Sequence, residues 1–192
     1  MTWLSSSYMG RKGTAKQPSG REHYLSEADQ GTYHYVIGPY ADPVMRIQPG
    51  DTVAVETHDA FEGKIKSETD KPSQVLNFPF LNPQNGPIVV EGAEKGDALA
   101  VRIDKIVPRG PQPVGTSALV PEFGGLTGTS KTATLQEPLP EIVKKFEVTE
   151  QEVRFSDRIT LPYEPFIGTL SVSPEIEAIS SLVPDNYGGN MD

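Results

Sequence analysis

One nine-residue pattern occurs twice: Gln48-Pro49-Gly50-Asp51-Thr52-Val53-Ala54-Val55-Glu56 is echoed by Glu94-Lys95-Gly96-Asp97-Ala98-Leu99-Ala100-Val101-Arg102. In each copy glycine suits the left-handed position of a turn, aspartate can accept backbone N–H groups, and an alternating strand follows. The alternation puts Val53 and Val55, or Leu99 and Val101, on one face. Turns that launch strands predict paired β-elements, and two copies are too few for a solenoid or a propeller. The rest of the chain agrees: 18 glycines and 18 prolines with only 36% hydrophobic residues favour many turns and short strands over long helices. The expected fold class is all-β (β-rich), a β-sandwich or jelly-roll-like arrangement with one or two short helices.

Further strands are predicted where β-branched and aromatic residues meet turn residues. These are Thr32-Tyr33-His34-Tyr35-Val36-Ile37, closed by Gly38-Pro39, and Val44-Met45-Arg46-Ile47, closed by Pro49-Gly50. Glu152-Val153-Arg154-Phe155 and Arg158-Ile159-Thr160-Leu161 alternate as a hairpin, and residues 166–172 read as a buried strand. Residues 139–148 are the one expected helix, with Ile142, Val143 and Phe146 following Pro138 and Pro140, residues that suit a helix start. Residues 1–20 show neither strand nor helix period and are expected to form a flexible arm. Residues 21–192 then make one compact β-rich domain.

A formal net charge of −9 without clustered Lys and Arg argues against nucleic acid. No apolar run approaches the roughly 18–20 residues needed to cross a bilayer, and the N-terminus lacks a signal-peptide core, so no membrane role and a cytoplasmic location are expected. With no cysteine, any chemistry must use oxygen and imidazole groups.

Three places carry such groups. His58 and Asp59 leave the strand after Glu56, with Glu62 nearby; the cluster suits a metal ion, but from these residues alone a solvated strand end is the simpler reading. Asn82-Pro83-Gln84-Asn85-Gly86-Pro87-Ile88 brings side-chain amides that can recognise an amide, though as a turn it needs no function. Asn186-Tyr187-Gly188-Gly189-Asn190-Met191-Asp192 combines paired glycines with oxygen donors, although on residue types alone a capped turn is the simpler reading. Gly124-Gly125-Leu126-Thr127-Gly128-Thr129 reads as a mobile loop, a candidate lid. There is no P-loop, dinucleotide fingerprint, His-Glu-x-x-His or nucleophile elbow.

Four blocks in order resemble the acetamidase/formamidase family. They are Glu56-Thr57-His58-Asp59-Ala60-Phe61-Glu62-Gly63-Lys64-Ile65; Asn82-Pro83 with the stretch from Gly86-Pro87 to Gly96-Asp97; Pro165-Phe166-Ile167-Gly168-Thr169; and Gly188-Gly189-Asn190-Met191-Asp192. The resemblance implies hydrolysis of a small carboxamide to carboxylate and ammonia, assisted by a divalent metal, with zinc the usual assignment. It points to Asp59, Asn190 and Asp192 as catalytic residues and to His58, Asp59 and Asp192 as metal donors. Asn82, Gly86, Tyr187, Gly188 and Gly189 are then the expected substrate contacts.

Two departures qualify the match. Tyr187 stands where the family commonly has histidine. Family members also carry further blocks, Gly-Asp-x-His and Gly-Asp-Gly-Glu, that this chain lacks. The expectation is therefore an incomplete enzyme, finished by a second subunit or a C-terminal half within a homo- or hetero-oligomer. A product of processing after Asp192 and a non-catalytic β-sandwich binding or scaffold subunit are the rival readings.

Overall fold

In the computed structural model, residues 2–9, 20–121, 123, 139–182 and 188–190 are described. The elements in chain order are β1 (Thr2–Met9), β2 (Glu22–Leu25), α1 (Glu27–Gln30), β3 (Val36–Ile37), β4 (Met45–Ile47), β5 (Thr52–Val55), α2 (Pro72–Val75), β6 (Ile88–Val90) and β7 (Ala98–Ile106). They continue with β8 (Val114–Leu119), β9 (Ile142–Val148), β10 (Glu152–Ser156), β11 (Ile159–Pro162), β12 (Thr169–Ser171), β13 (Ile179–Ser180) and β14 (Gly188–Asn190). The all-β expectation holds: strands dominate, and both described helices are single turns. The chain divides into two compact units where one domain was expected.

The first unit comprises Met1–Thr57, Pro83–Val107 and Pro165–Asp192. Its main sheet has the order β2-β5-β1-β7. β2 runs parallel to β5, from Glu22 opposite Thr52 to Leu25 opposite Val55. β1 lies antiparallel to β5 and β7, with a register shift against β7 between Trp3 and Leu4. The arm expected over residues 1–20 is therefore a strand at Thr2–Met9. Its Ser-rich middle hides the signal, and pairing along both edges supplies what local propensity does not.

Val53, Ala54 and Val55 are all buried, so β5 is covered on both faces and does not alternate in and out. Leu25, Ile47, Val53 and Val55 form the core cluster, with Val44, Met45, Ile88 and Val90 packed against it. Each fully buried side chain of this size contributes about 1.5–3 kcal/mol. β4 and β6 pair in parallel beside that cluster, from Met45 opposite Ile88 to Ile47 opposite Val90. β13 pairs with β3, and β14 with β12. The strand expected over residues 166–172 is ordered as β12 at Thr169–Ser171, half-buried where full burial was expected.

The second unit comprises His58–Asn82 and Pro108–Glu164. Its antiparallel sheet has the order β11-β10-β9-β8. The predicted hairpin is present as β10 and β11, with Val153 opposite Leu161. Ile65, Leu76, Leu81, Val120 and Val143 are its buried apolar residues.

The helix expected over residues 139–148 is instead β9, the central partner of β8 and β10. Prolines suited to a helix start do not outweigh Ile142, Val143, Phe146 and Val148, which favour extended backbone when neighbours satisfy both edges. Phe146 lies 5.4 Å from the Phe155 ring, and a Cβ added to Gly115 would come within 2.0 Å of Phe146. Glycine there lets the ring lie across β8. Among the described residues no helix is long and apolar enough to span a membrane.

Candidate functional site

In the second unit, Asp59 organises the turn that carries His58. Its Oδ1 accepts the N–H of Phe61 at 2.9 Å and of Gly63 at 2.7 Å, while its carbonyl accepts the Glu62 N–H at 3.0 Å. Glu62 and Gly63 both take left-handed backbone, at φ 53° and 61°. Gly63 adopts this without penalty; Glu62 does so at a cost that the Asp59 bonds offset. Asn82, also left-handed at φ 60°, donates its N–H to the Ala60 carbonyl at 2.8 Å. The structure thus brings His58, Asp59 and the Asn82 main chain together around one turn.

In the first unit, the amide-rich segment is held from several sides. Gln84 and His34 exchange backbone hydrogen bonds, at 2.8 Å and 3.5 Å. Asn85 Nδ2 donates to the Glu56 carbonyl at 3.0 Å, and buried Gly86, at φ 96°, donates its N–H to Gln30 Oε1 at 2.8 Å. Glu56, read from the sequence as part of a metal cluster, has both carboxylate oxygens engaged: Tyr24 O–H and the Glu27 N–H each donate at 2.8 Å. It anchors α1, since the first turn of a helix leaves N–H groups without intrahelical partners.

Gly188 and Gly189 belong to β14, where a terminal turn was the simplest reading. Thr169 lies opposite Asn190, Leu170 opposite Gly189 and Ser171 opposite Gly188. The pairing sets the fourth sequence block against the last residue of the third and the two residues that follow it. Ladder bonds to one neighbour engage alternate backbone groups and leave the others directed away from it. Tyr187, Asp192 and residues 124–129 lie outside the described residues.

Among the described residues no group of three or more His, Asp or Glu side chains is placed to hold a metal ion. Glu62 pairs with Lys64, and Glu56 is committed to α1. His58 and Asp59 alone do not make a metal site. The described residues therefore fall short of the expected donor set.

Sequence reasoning missed Gln30, although a signal was present. Ser26 accepts the Asp29 N–H at 3.1 Å and Gly31 closes the turn at φ 64°, so Ser26-Glu27-Ala28-Asp29-Gln30-Gly31 carries a helix start and stop. His23 and Asp51 are joined at 2.8 Å, a contact that the turn reading of Asp51 as a backbone acceptor does not include. Asp51 does accept backbone N–H groups, from Gln48 at 2.8 Å and Arg21 at 3.3 Å.

The chain belongs to the acetamidase/formamidase family, whose sequence model matches residues 22–183. It is similar to the acetamidase from Yersinia enterocolitica, at 55% identity and a TM-score of 0.83, over 91% of this chain and 53% of that one. It also resembles the acetamidase from Bacillus halodurans, at 28% identity and a TM-score of 0.69, over 88% of this chain and 52% of that one. A predicted acetamidase/formamidase from the thermophile Thermoanaerobacter tengcongensis matches at 28% identity and a TM-score of 0.66, over 90% and 52%. The chain spans about half the length of these relatives.

Proposed function

We propose that this chain supplies one portion of a hydrolase that cleaves a small linear carboxamide to carboxylate and ammonia. The observation that carries the reading is the 55% identity to an acetamidase over 91% of the chain. Because the chain spans 53% of that relative, the proposal includes a second polypeptide or chain half bearing the remaining His and Glu blocks, in a homo- or hetero-oligomer in the cytoplasm.

In the reaction, water adds to the amide carbon, the C–N bond breaks, and the nitrogen leaves as ammonia with a proton taken from that water. Asp59 is suited to orient the water: Phe61 and Gly63 hold its Oδ1, which fixes the carboxylate and directs Oδ2 as the remaining acceptor. Asn82 and Gly86 contribute to amide recognition. Asn190, Asp192, Tyr187 and the Gly188 and Gly189 backbone complete this chain's share, with N–H groups of β14 as donors to the developing oxyanion. Zinc is the expected ion, with His58, Asp59 and Asp192 as this chain's donors and further ligands from the remainder of the enzyme. No step above depends on it.

The test is ammonia release from formamide, acetamide and larger amides, by the chain alone and with its completing polypeptide, beside metal analysis of the purified protein. Asn190→Ala and Asp192→Ala are expected to abolish release without unfolding the protein. Turnover retained in either variant removes that residue from the mechanism. Ammonia from no preparation favours the non-catalytic scaffold subunit.

A further inference from the structure

Gln30 is 3% exposed, and a buried primary amide is costly unless its donors and acceptor are met. All of them are. Nε2 donates to the carbonyls of Thr32 and Gly86, both at 3.0 Å, while Oε1 accepts the Gly86 N–H at 2.8 Å and a longer contact from Asn85 Nδ2 at 3.4 Å. By bonding both the N–H and the C=O of Gly86, the side chain imitates a neighbouring strand. It fixes the direction of a peptide that has no strand partner of its own.

What it fixes is a corner that only glycine suits. Gly86 sits at φ 96°, and a Cβ there would meet the Ile88 nitrogen at 3.1 Å. Asn85 projects from the same corner, and its Nδ2 faces two acceptors, the Glu56 carbonyl and Gln30 Oε1. A backbone carbonyl can only accept, so the nitrogen must face Glu56 and the oxygen must point the other way. Among the described residues Asn85 Oδ1 accepts no hydrogen bond, and the residue is half-buried. Gln30 is held in turn: it ends α1, whose first turn is tied to the end of β5 by the Glu56 carboxylate.

We infer that Asn85 Oδ1 accepts an N–H of the substrate carboxamide and that Gln30 is the positioning residue that aims it. The inference rests on the amide-hydrolase reading and extends it, since it names a specificity residue and its support. A carboxamide presents two N–H donors, and a half-buried acceptor rejects the corresponding carboxylate or ester, which lacks them.

The experiment titrates acetamide into the isotope-labelled chain and follows the Gly86 amide and the Asn85 side-chain resonances by NMR, beside steady-state kinetics of the completed enzyme. In the wild type both resonances shift. Asn85→Ala keeps the Gln30–Gly86 bonds and is expected to bind acetamide about ten-fold more weakly, the loss of one hydrogen bond of ordinary strength, with KM raised more than kcat is lowered. Gln30→Glu places an oxygen against the Thr32 and Gly86 carbonyls; it should weaken binding at neutral pH and recover part of it on acidification, as the new carboxyl gains a proton to donate. A wild-type titration without shifts at Gly86 and Asn85, or undiminished acetamide affinity in Asn85→Ala, overturns the inference. Acetamide binding with these shifts, but no ammonia release by the completed enzyme, would instead sink the hydrolase reading and leave Asn85 standing as a carboxamide acceptor.

Discussion

At the head of β5, Asp51 accepts the Gln48 N–H at 2.8 Å with Gly50 at φ 89°; at the head of β7, Asp97 accepts the Glu94 N–H at 2.9 Å with Gly96 at φ 93°. The backbone bonds match as well, Asp51 to Gln48 and Asp97 to Glu94, each 3.0 Å. As local objects the two turns are the same. Their surroundings are not. Asp51 is 1% exposed and also takes the Arg21 N–H and the His23 ring, whereas Asp97 is half-buried and lies on the surface. Val53 and Val55 are 3% exposed, while their counterparts Leu99 and Val101 are 41% exposed and half-buried. A repeated sequence therefore repeats the turn, but the neighbours decide whether that turn holds a core together.

The largest expected effect is at Asp51. Asp51→Ala leaves the Gln48 and Arg21 N–H groups and the His23 ring without their acceptor, and should cost about 3 kcal/mol in urea unfolding. The same carboxylate makes stability sensitive to acid. Burial alone would raise its pKa, but the Gln48 N–H, the His23 ring and the Arg21 N–H together hold it below the ordinary value. A depressed folded pKa means that its contribution is fully present above about pH 4, where the unfolded carboxyl ionises, and is lost as pH falls through the folded value. Urea midpoints measured against pH should show that loss in the wild type, and Asp51→Asn should flatten it.

Next come the glycines, where the comparison predicts equality. Gly50→Ala and Gly96→Ala each force a Cβ into left-handed backbone and should cost about 1–2 kcal/mol apiece. A large difference between them would show that the turns are not locally equivalent. The smallest effect is at Asp97, where Asp97→Ala should cost about 0.5–1 kcal/mol, one solvent-exposed hydrogen bond. If Asp97→Ala matched Asp51→Ala, the contrast between the two regions would fail.

The site divides in a similar way. The local backbone at Asp59, Asn82 and Gly86 was legible because the residue types there announce a change of chain direction: Asp59 accepts the N–H groups of the turn that follows it, and Asn82 and Gly86 both take positive φ. Gln30 was not singled out, although its one-turn helix has a cap at Ser26 and a stop at Gly31, because its partner Gly86 lies far along the chain. Glu56 shows the reverse: beside His58 and Asp59 it looked like a metal donor, yet its oxygens serve Tyr24 and α1. Proximity in sequence does not say which way a carboxylate points.

Turns, the hairpin of β10 and β11 and the dominance of strands could be read directly, since glycine, proline, aspartate and β-branched residues act through local sterics and local hydrogen bonds. The strand at β1, the strand at β9 in place of a helix, the division into two units and the clamp on Gly86 could not. Each depends on hydrogen-bonding edges or buried amides supplied by residues remote in the chain, and such partners exist only once the fold has formed.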